Sequence, residues 1–264
     1  MIGTGVFTSL GFQLLELRSG FVLLMLWVVG GVSALCVALC YAELGAALPR
    51  SGGEYNFLSV IYHPAAGFIS GWVSATVGFA APTALAALTF GSYFAAVFPA
   101  LSAGWLATGL VLALTAVHCT SHAGSGGVQS VLTGLKLALI LGFSVLALFF
   151  SQERQPVILL PRAGDVALLF SGSFAVSLIF VNYAFSGWNA ATYVSGELRQ
   201  PRRHLPIILA SSTLLVGGCY LLLNYTFLVT TPMEAMAGQV EIGFIAARQV
   251  FGPAGAAVMG VVLA

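Results

Sequence analysis

The sequence predicts an all-α integral membrane protein in which two helices lose their regular winding near mid-bilayer. Three observations carry that prediction. Of the 264 residues, 59% are hydrophobic and only 6% are charged, whereas a soluble domain carries roughly a quarter charged residues. The apolar residues gather into runs of the ~20 that one bilayer span requires. Two of these runs, Met1–Leu15 and Val166–Gly196, are interrupted by glycine and polar residues where a lipid-facing helix stays apolar.

Taken in order, Met1–Leu15 is too short for a span and reads as part of a helix. Phe21–Leu48 is a full span, and Gly53–Tyr62 is a short connector with the composition of an interfacial helix. Pro64–Val97 holds the next span, with Pro82 inside it. Ala103–Cys119 and Val128–Phe150 follow, then the broken Val166–Gly196, then Pro206–Thr230 and Ile242–Ala264. The first run begins inside an apolar element and the last reaches Ala264 without a polar cap, so the sequence reads as a fragment of a longer transmembrane domain.

Lys and Arg near span ends set orientation. With the 45–65 connector inside, the inner loops hold Arg50, Arg199, Arg202 and Arg203, and the outer ones Arg18, Arg154, Arg162 and Arg248. The counts tie, and the dense cluster at 199–204 is what places the connector on the cytoplasmic side.

The net charge of +1 leaves no nucleic-acid footprint. Cys36, Cys40, Cys119 and Cys219 sit within or at the ends of apolar runs and read as buried small hydrophobes. His118 and His122 are four residues apart, but Gly124-Ser125-Gly126-Gly127 reads as a loop and no third ligand is near, so neither metal nor cofactor is expected. No nucleophile–base–acid constellation and no paired intramembrane carboxylates are visible, which excludes the usual membrane-embedded enzymes.

The interruptions carry the functional signal. Gly3-Thr4-Gly5 costs a helix about 1 kcal/mol per glycine relative to alanine. It also frees amide N–H groups which, where the helix restarts, suit an anion such as a carboxylate. Close packing of small residues is the competing explanation. Asn182-Tyr183-Ala184-Phe185-Ser186-Gly187-Trp188-Asn189 is the second interruption. Four spans separate the two, the spacing expected of two five-helix repeats that each open with a broken helix, and such repeats are a transporter plan.

The same residues carry a resemblance. Met1-Ile2-Gly3-Thr4-Gly5-Val6-Phe7 resembles the first-helix break of the amino acid–polyamine–organocation (APC) transporters. Tyr41-Ala42-Glu43-Leu44-Gly45 and Leu48-Pro49-Arg50-Ser51-Gly52-Gly53-Glu54-Tyr55 are similar to that family's second-helix exit and following loop. Gly67-Phe68-Ile69-Ser70-Gly71-Trp72 resembles its third-helix entrance, and Ser186-Gly187-Trp188 with Glu197, Pro201 and Pro206 resembles its sixth helix and the loop beyond. The L-type amino acid transporter branch is the most similar.

The resemblance implies a five-plus-five inverted-repeat transporter fold, truncated from part of span one to part of span eight. Residues 1–150 would be the first repeat, lacking the start of its first helix, and 166–264 part of the second. It implies substrate contacts at Met1, Gly3, Thr4, Gly5, Asn182, Tyr183, Ala184, Ser186 and Gly187. The amides of Thr4 and Gly5 would take the carboxylate, and carbonyls near Met1, Tyr183 and Ser186 the amino group. Tyr183 and Phe185 are the expected aromatic gate. Relatives in animals pair with a single-span glycoprotein through a cysteine after the third span. Phe98–Ala103 has none, so no disulfide-linked subunit is expected, and a stand-alone permease of a bacterial plasma membrane fits.

Lys136 is the chain's only lysine. A cation at the bilayer centre costs at least about 2.5–3.5 kcal/mol. Snorkelling to an interface is one way out. Bonding carbonyls freed at the first break is the other, and the resemblance implies it, since sodium-independent relatives carry a lysine at this fifth-helix position. Lys136 is then a coupling residue. No Asp, Glu or Arg falls within either interrupted stretch, and a charged side chain in a dry pocket wants an opposite charge, so neutral amino acids are the expected substrates. A non-transporting receptor using the same pocket, or transport of polyamines and other cationic amines, are the alternatives.

Overall fold

The computed structural model describes residues 2–3, 5–119 and 122–263, with the side chains of 96, 97, 118, 122–126, 128 and 260–263 outside that description. The chain order is α1 (Gly5–Gln13), α2 (Gly20–Ala47), α3 (Glu54–Ile61), α4 (Pro64–Val73), a π-helical stretch (Ser74–Ala80) and α5 (Ala81–Val97). Next come α6 (Ala103–His118), α7 (His122–Phe150), α8 (Asp165–Leu169), α9 (Gly172–Phe185) and α10 (Ala190–Tyr193). A 3₁₀ turn (Ser195–Glu197), α11 (Pro201–Thr230), α12 (Met233–Met236) and α13 (Ile242–Leu263) complete it. No strand occurs among the described residues. Five helical stretches are long and apolar enough to cross a membrane, and Ala103–Val117 and Gly172–Phe185 are shorter apolar ones.

Local chemistry explains the boundaries. Ser19 caps α2 by accepting from the Val22 N–H at 3.4 Å, and Ser171 caps α9 by accepting from Phe174 at 3.2 Å. His63 caps α4, its Nδ1 accepting from the Ala65 N–H at 3.2 Å, with Pro64 in the first turn where its missing donor costs nothing. Pro82 has no N–H to give and its ring crowds the carbonyl four residues back. The backbone there widens into the π-helical stretch, where the Ala81 N–H reaches Thr76.

Three boundaries differ from the sequence reading. The glycine run 124–127 is helical, inside α7, and not a loop. Within lipid, helix is the one local way to satisfy the backbone, and that outweighs about 1 kcal/mol per glycine. Helix α11 starts at Pro201, so Arg202, Arg203 and His204 form its first turn and not a charged loop. The last helix is kinked: Gly252 takes φ +73° ahead of Pro253, because proline disfavours a helical residue before it.

The core lies where α2 meets α11 and α9. Leu23, Leu26, Trp27 and Ala34 pack with Val216, Tyr220, Leu223 and Phe227, all buried. Val181 sits so close over Gly30 that a side chain there would collide with it. Of the four cysteines expected to be buried only Cys219 is; Cys36, Cys40 and Cys119 are exposed, because an apolar run fixes that a residue faces lipid or protein but not which. Large apolar side chains such as Phe68, Trp72, Trp105 and Phe149 also point outward, the distribution expected of helices solvated by acyl chains or by further helices.

Candidate functional site

The two interruptions meet. Ile2 is non-helical, Gly3 lies in a bend, and regular winding starts at Gly5. Met1 and Thr4, both expected to touch substrate, lie outside the described residues. A Cβ on Gly5 would sit 3.0 Å from the Ala184 Cα, 3.2 Å from its Cβ and 3.4 Å from the Tyr183 ring. Glycine is therefore what lets the start of α1 press on the end of α9. Below that point the two helices stay in contact. Ser9 Oγ donates to the Gly5 carbonyl at 2.5 Å and lies 3.5 Å from the Phe180 carbonyl, and Phe12 stacks on Phe180 at 5.5 Å.

Helix α9 stops at Phe185. Ser186 leaves the helical region with ψ 160°, Gly187 has φ +96°, and winding resumes only for the single turn Ala190–Tyr193. A helix end leaves carbonyls without intrahelical donors. Two of them find donors elsewhere. Ser186 donates to the Tyr183 carbonyl through its N–H at 3.0 Å and its Oγ at 2.7 Å, and the buried Tyr220 hydroxyl donates to the Ala184 carbonyl at 3.0 Å. The Tyr183 carbonyl, expected to hold a substrate ammonium, thus has both lone pairs engaged.

Between the break and α2 lies a cavity of about 270 Å³. Asn182, Ser186, Gly187, Trp188 and Asn189 form one wall, and Ala34, Val37 and Tyr41 of α2 with Glu54 form the other. Tyr41 meets the Trp188 ring edge-on at 4.8 Å. Asn189 Nδ2 donates to Glu54 Oε1 at 2.9 Å. Among the described residues no ion pair joins Glu54 to Arg50.

Lys136, on α7, reaches the first break. Its Nζ stands 3.5 Å from the Ile2 carbonyl oxygen, the long limit of a hydrogen bond. Its side chain is exposed in the described chain.

The amino acid permease family model matches residues 1–264. This chain belongs to the amino acid permease family. The permease chain is 32% identical over 256 residues to the b(0,+)-type amino acid transporter 1 of Mus musculus, covering 90% of the chain and 50% of that relative. It is 33% identical over 251 residues to the large neutral amino acids transporter small subunit 2 of Rattus norvegicus, covering 90% and 46%. To the Asc-type amino acid transporter 1 of Mus musculus it is 32% identical over 255 residues, covering 90% and 46%. The chain spans about half the length of these curated relatives. The relatives are transporters, not enzymes, and the family with the apolar helices makes this a multi-pass integral membrane protein.

Measured against the sequence-predicted residues, the permease structure brings together Gly5, Tyr183 and Ala184, and sets Lys136 at Ile2. Asn182, Ser186 and Gly187 line the cavity. Gly3 lies at the first break without a described partner across it. Phe185 stands apart from the expected gate: it is 1% exposed and packs against Trp27 at 6.3 Å and Tyr220 at 5.1 Å. At its position on α9 the side chain points into the α2–α11 core. Tyr183, 36% exposed with its ring over Gly5, remains at the surface of the break. Tyr41 and Tyr220 were missed, and Glu54 holds Asn189 where the loop sequence suits a solvated helix end or a gate salt bridge with Arg50. The absence of charge from both interrupted stretches holds in sequence but not in space, because Glu54 arrives from α3. For Tyr220 a signal existed: a tyrosine inside a span needs an acceptor for its hydroxyl.

Proposed function

We propose that the chain is the break-bearing part of a secondary transporter that moves neutral amino acids by alternating access, independently of sodium, as an exchanger or coupled to protons. The observation that carries this reading is the contact of Gly5 with Tyr183 and Ala184, which sets the start of α1 against the end of α9, beside the point where each helix loses its winding. The first amides of α1 supply the positive end of a helix to a substrate carboxylate, with Thr4 and Gly5 in that role. Carbonyls at the breaks, near Met1 and Ser186, take the ammonium, and Asn182 and Gly187 border the path. Tyr183 gates access.

Sodium independence rests on Lys136: an ammonium beside the Ile2 carbonyl occupies the place where a bound cation would otherwise neutralise freed carbonyl oxygens. Residues 1–150 and 166–264 act as the two repeats, the second incomplete. With no cysteine in the 98–103 loop, the transporter works without a disulfide-linked subunit, in a bacterial plasma membrane.

The test is uptake of labelled leucine by proteoliposomes holding the full-length parent protein, with unlabelled amino acids as competitors and sodium replaced by choline. Leucine and alanine compete, and choline leaves the rate unchanged. Uptake that only arginine or glutamate competes for, or that vanishes without sodium, overturns the reading.

A further inference from the structure

Helix α10 is four residues long and the 3₁₀ turn after it three. Isolated helices shorter than about 12–15 residues do not hold themselves, so the segment beyond the break takes its shape from what grips it. The grip comes from the loop behind α2. The Gly52 N–H donates to the Tyr193 carbonyl at 3.3 Å. The Gly196 N–H donates to Ser51 Oγ at 3.1 Å. Gly53, at φ +53°, lies under the Tyr193 ring, where a Cβ would stand 2.6 Å from Cε2. The same ring meets Phe79 edge-on at 5.3 Å.

Glu54 adds a charge-assisted bond to Asn189 at 2.9 Å, with the Tyr41 and Tyr193 hydroxyls also facing its carboxylate, and such bonds are about twice as strong as neutral ones. A carboxylate only accepts, so it also fixes which end of the Asn189 amide it holds. We infer that Glu54 is a positioning residue for transport: acting through Asn189, it fastens the post-break segment 186–197 to the loop 49–54 and so sets the wall of the cavity. This rests on the transport reading above, and it gives Glu54 a partner across the break, Asn189, in place of the Arg50 four residues before it in the loop.

The test is a swap in the full-length parent protein. Asn189→Asp sets two carboxylates against each other and raises KM for leucine uptake about tenfold or more, with kcat changed less. Adding Glu54→Gln supplies an amide that donates to the carboxylate introduced at position 189, and returns KM to within about threefold of the wild type. Glu54→Ala raises KM without rescue.

Positioning is read without transport by the oxidation rate of a Ser51→Cys/Gly196→Cys pair, with Cys36, Cys40, Cys119 and Cys219 replaced by serine. Glu54→Ala slows the cross-link about tenfold, and the swap restores it. A double variant no better than Asn189→Asp, or a cross-link indifferent to Glu54→Ala, overturns the inference. Wild-type proteoliposomes that take up nothing sink the transport reading instead, and the cross-linking rate then decides alone whether Glu54 holds the segment.

Discussion

Tyr220→Phe removes the hydroxyl that donates to the second break. Tyr220 is fully buried, and its hydroxyl donates at 3.0 Å to the carbonyl of Ala184, itself only 4% exposed. Its ring packs edge-on against Trp27 at 5.5 Å and against Phe185 at 5.1 Å. Phenylalanine keeps both ring contacts and leaves a void of one oxygen atom. The Ala184 carbonyl loses its donor and, beyond the end of regular winding, stays enclosed. That costs about 1–3 kcal/mol. If the break must hold this geometry to bind substrate, the cost appears as a loss of affinity of about 5- to 150-fold, at 1.4 kcal/mol per factor of ten.

Tyr220→Ala also removes the ring and adds about 3–5 kcal/mol, enough to threaten folding. The assay is equilibrium binding of labelled leucine to the full-length parent protein in detergent, beside its melting temperature without ligand. Phe lowers affinity more than it lowers stability, and Ala lowers both. A Phe variant equal to wild type in both measurements would refute the argument. So would Phe and Ala variants that are equally damaged, since ring and hydroxyl would then be inseparable.

Lys136→Ala removes the ammonium beside the Ile2 carbonyl and is expected to abolish most leucine uptake and flatten its dependence on pH, whereas wild-type uptake and pH response in this variant would remove Lys136 from the coupling scheme. Gly5→Val drives side-chain atoms into Ala184 and the Tyr183 ring, overpacking by about 1–3 kcal/mol; the outcome to look for is weaker leucine binding by about tenfold or more, and unchanged affinity would mean that the two breaks need not touch. Gly187→Ala forces a side chain onto a residue at φ +96°, a strain of about 1–3 kcal/mol, which should lower the melting temperature; an unshifted transition would show that the break tolerates another path.

Much of this architecture is legible in the sequence because lipid leaves few choices. A run of about 20 apolar residues must wind into helix, so α2 and the 64–97 stretch fall close to their expected limits, while α7 and α11 end as expected but start earlier, at His122 and Pro201. Both breaks were also legible, since Gly3–Gly5 and Ser186–Gly187 put glycine and polar groups where a lipid-facing helix stays apolar. Local signals misled at 124–127, where four residues that make a loop in water stay helical, and at Gly252–Pro253, where a dipeptide known to disturb helices passed inside an apolar run. Phe185 was misplaced for a different reason. Its neighbours in sequence line a cavity, but a side chain's direction depends on its rotation about the helix axis, and at 185 that rotation points inward.

The residues that hold the break are the part no local reading supplies. Where winding fails, the backbone exposes donors and acceptors, and these need partners whose positions depend on the whole packing. The break recruits them from three remote places: Gly5 brings α1 against the Ala184 backbone, Tyr220 of α11 takes the Ala184 carbonyl, and Glu54 at the head of α3 takes Asn189. Each partner is 36 or more residues away in sequence from the group it serves. A charge census of the interrupted stretches alone therefore mistakes the electrostatics of the site, because the one carboxylate in its wall belongs to a loop that the linear pattern assigns to the membrane surface. The same geometry separates two jobs that a single motif suggested: the face toward α1 presents backbone, suited to the invariant ends of an amino acid, while the face toward α2 presents Tyr41, Trp188, Asn189 and Glu54, a wall of side chains that substitution can reshape without disturbing the breaks.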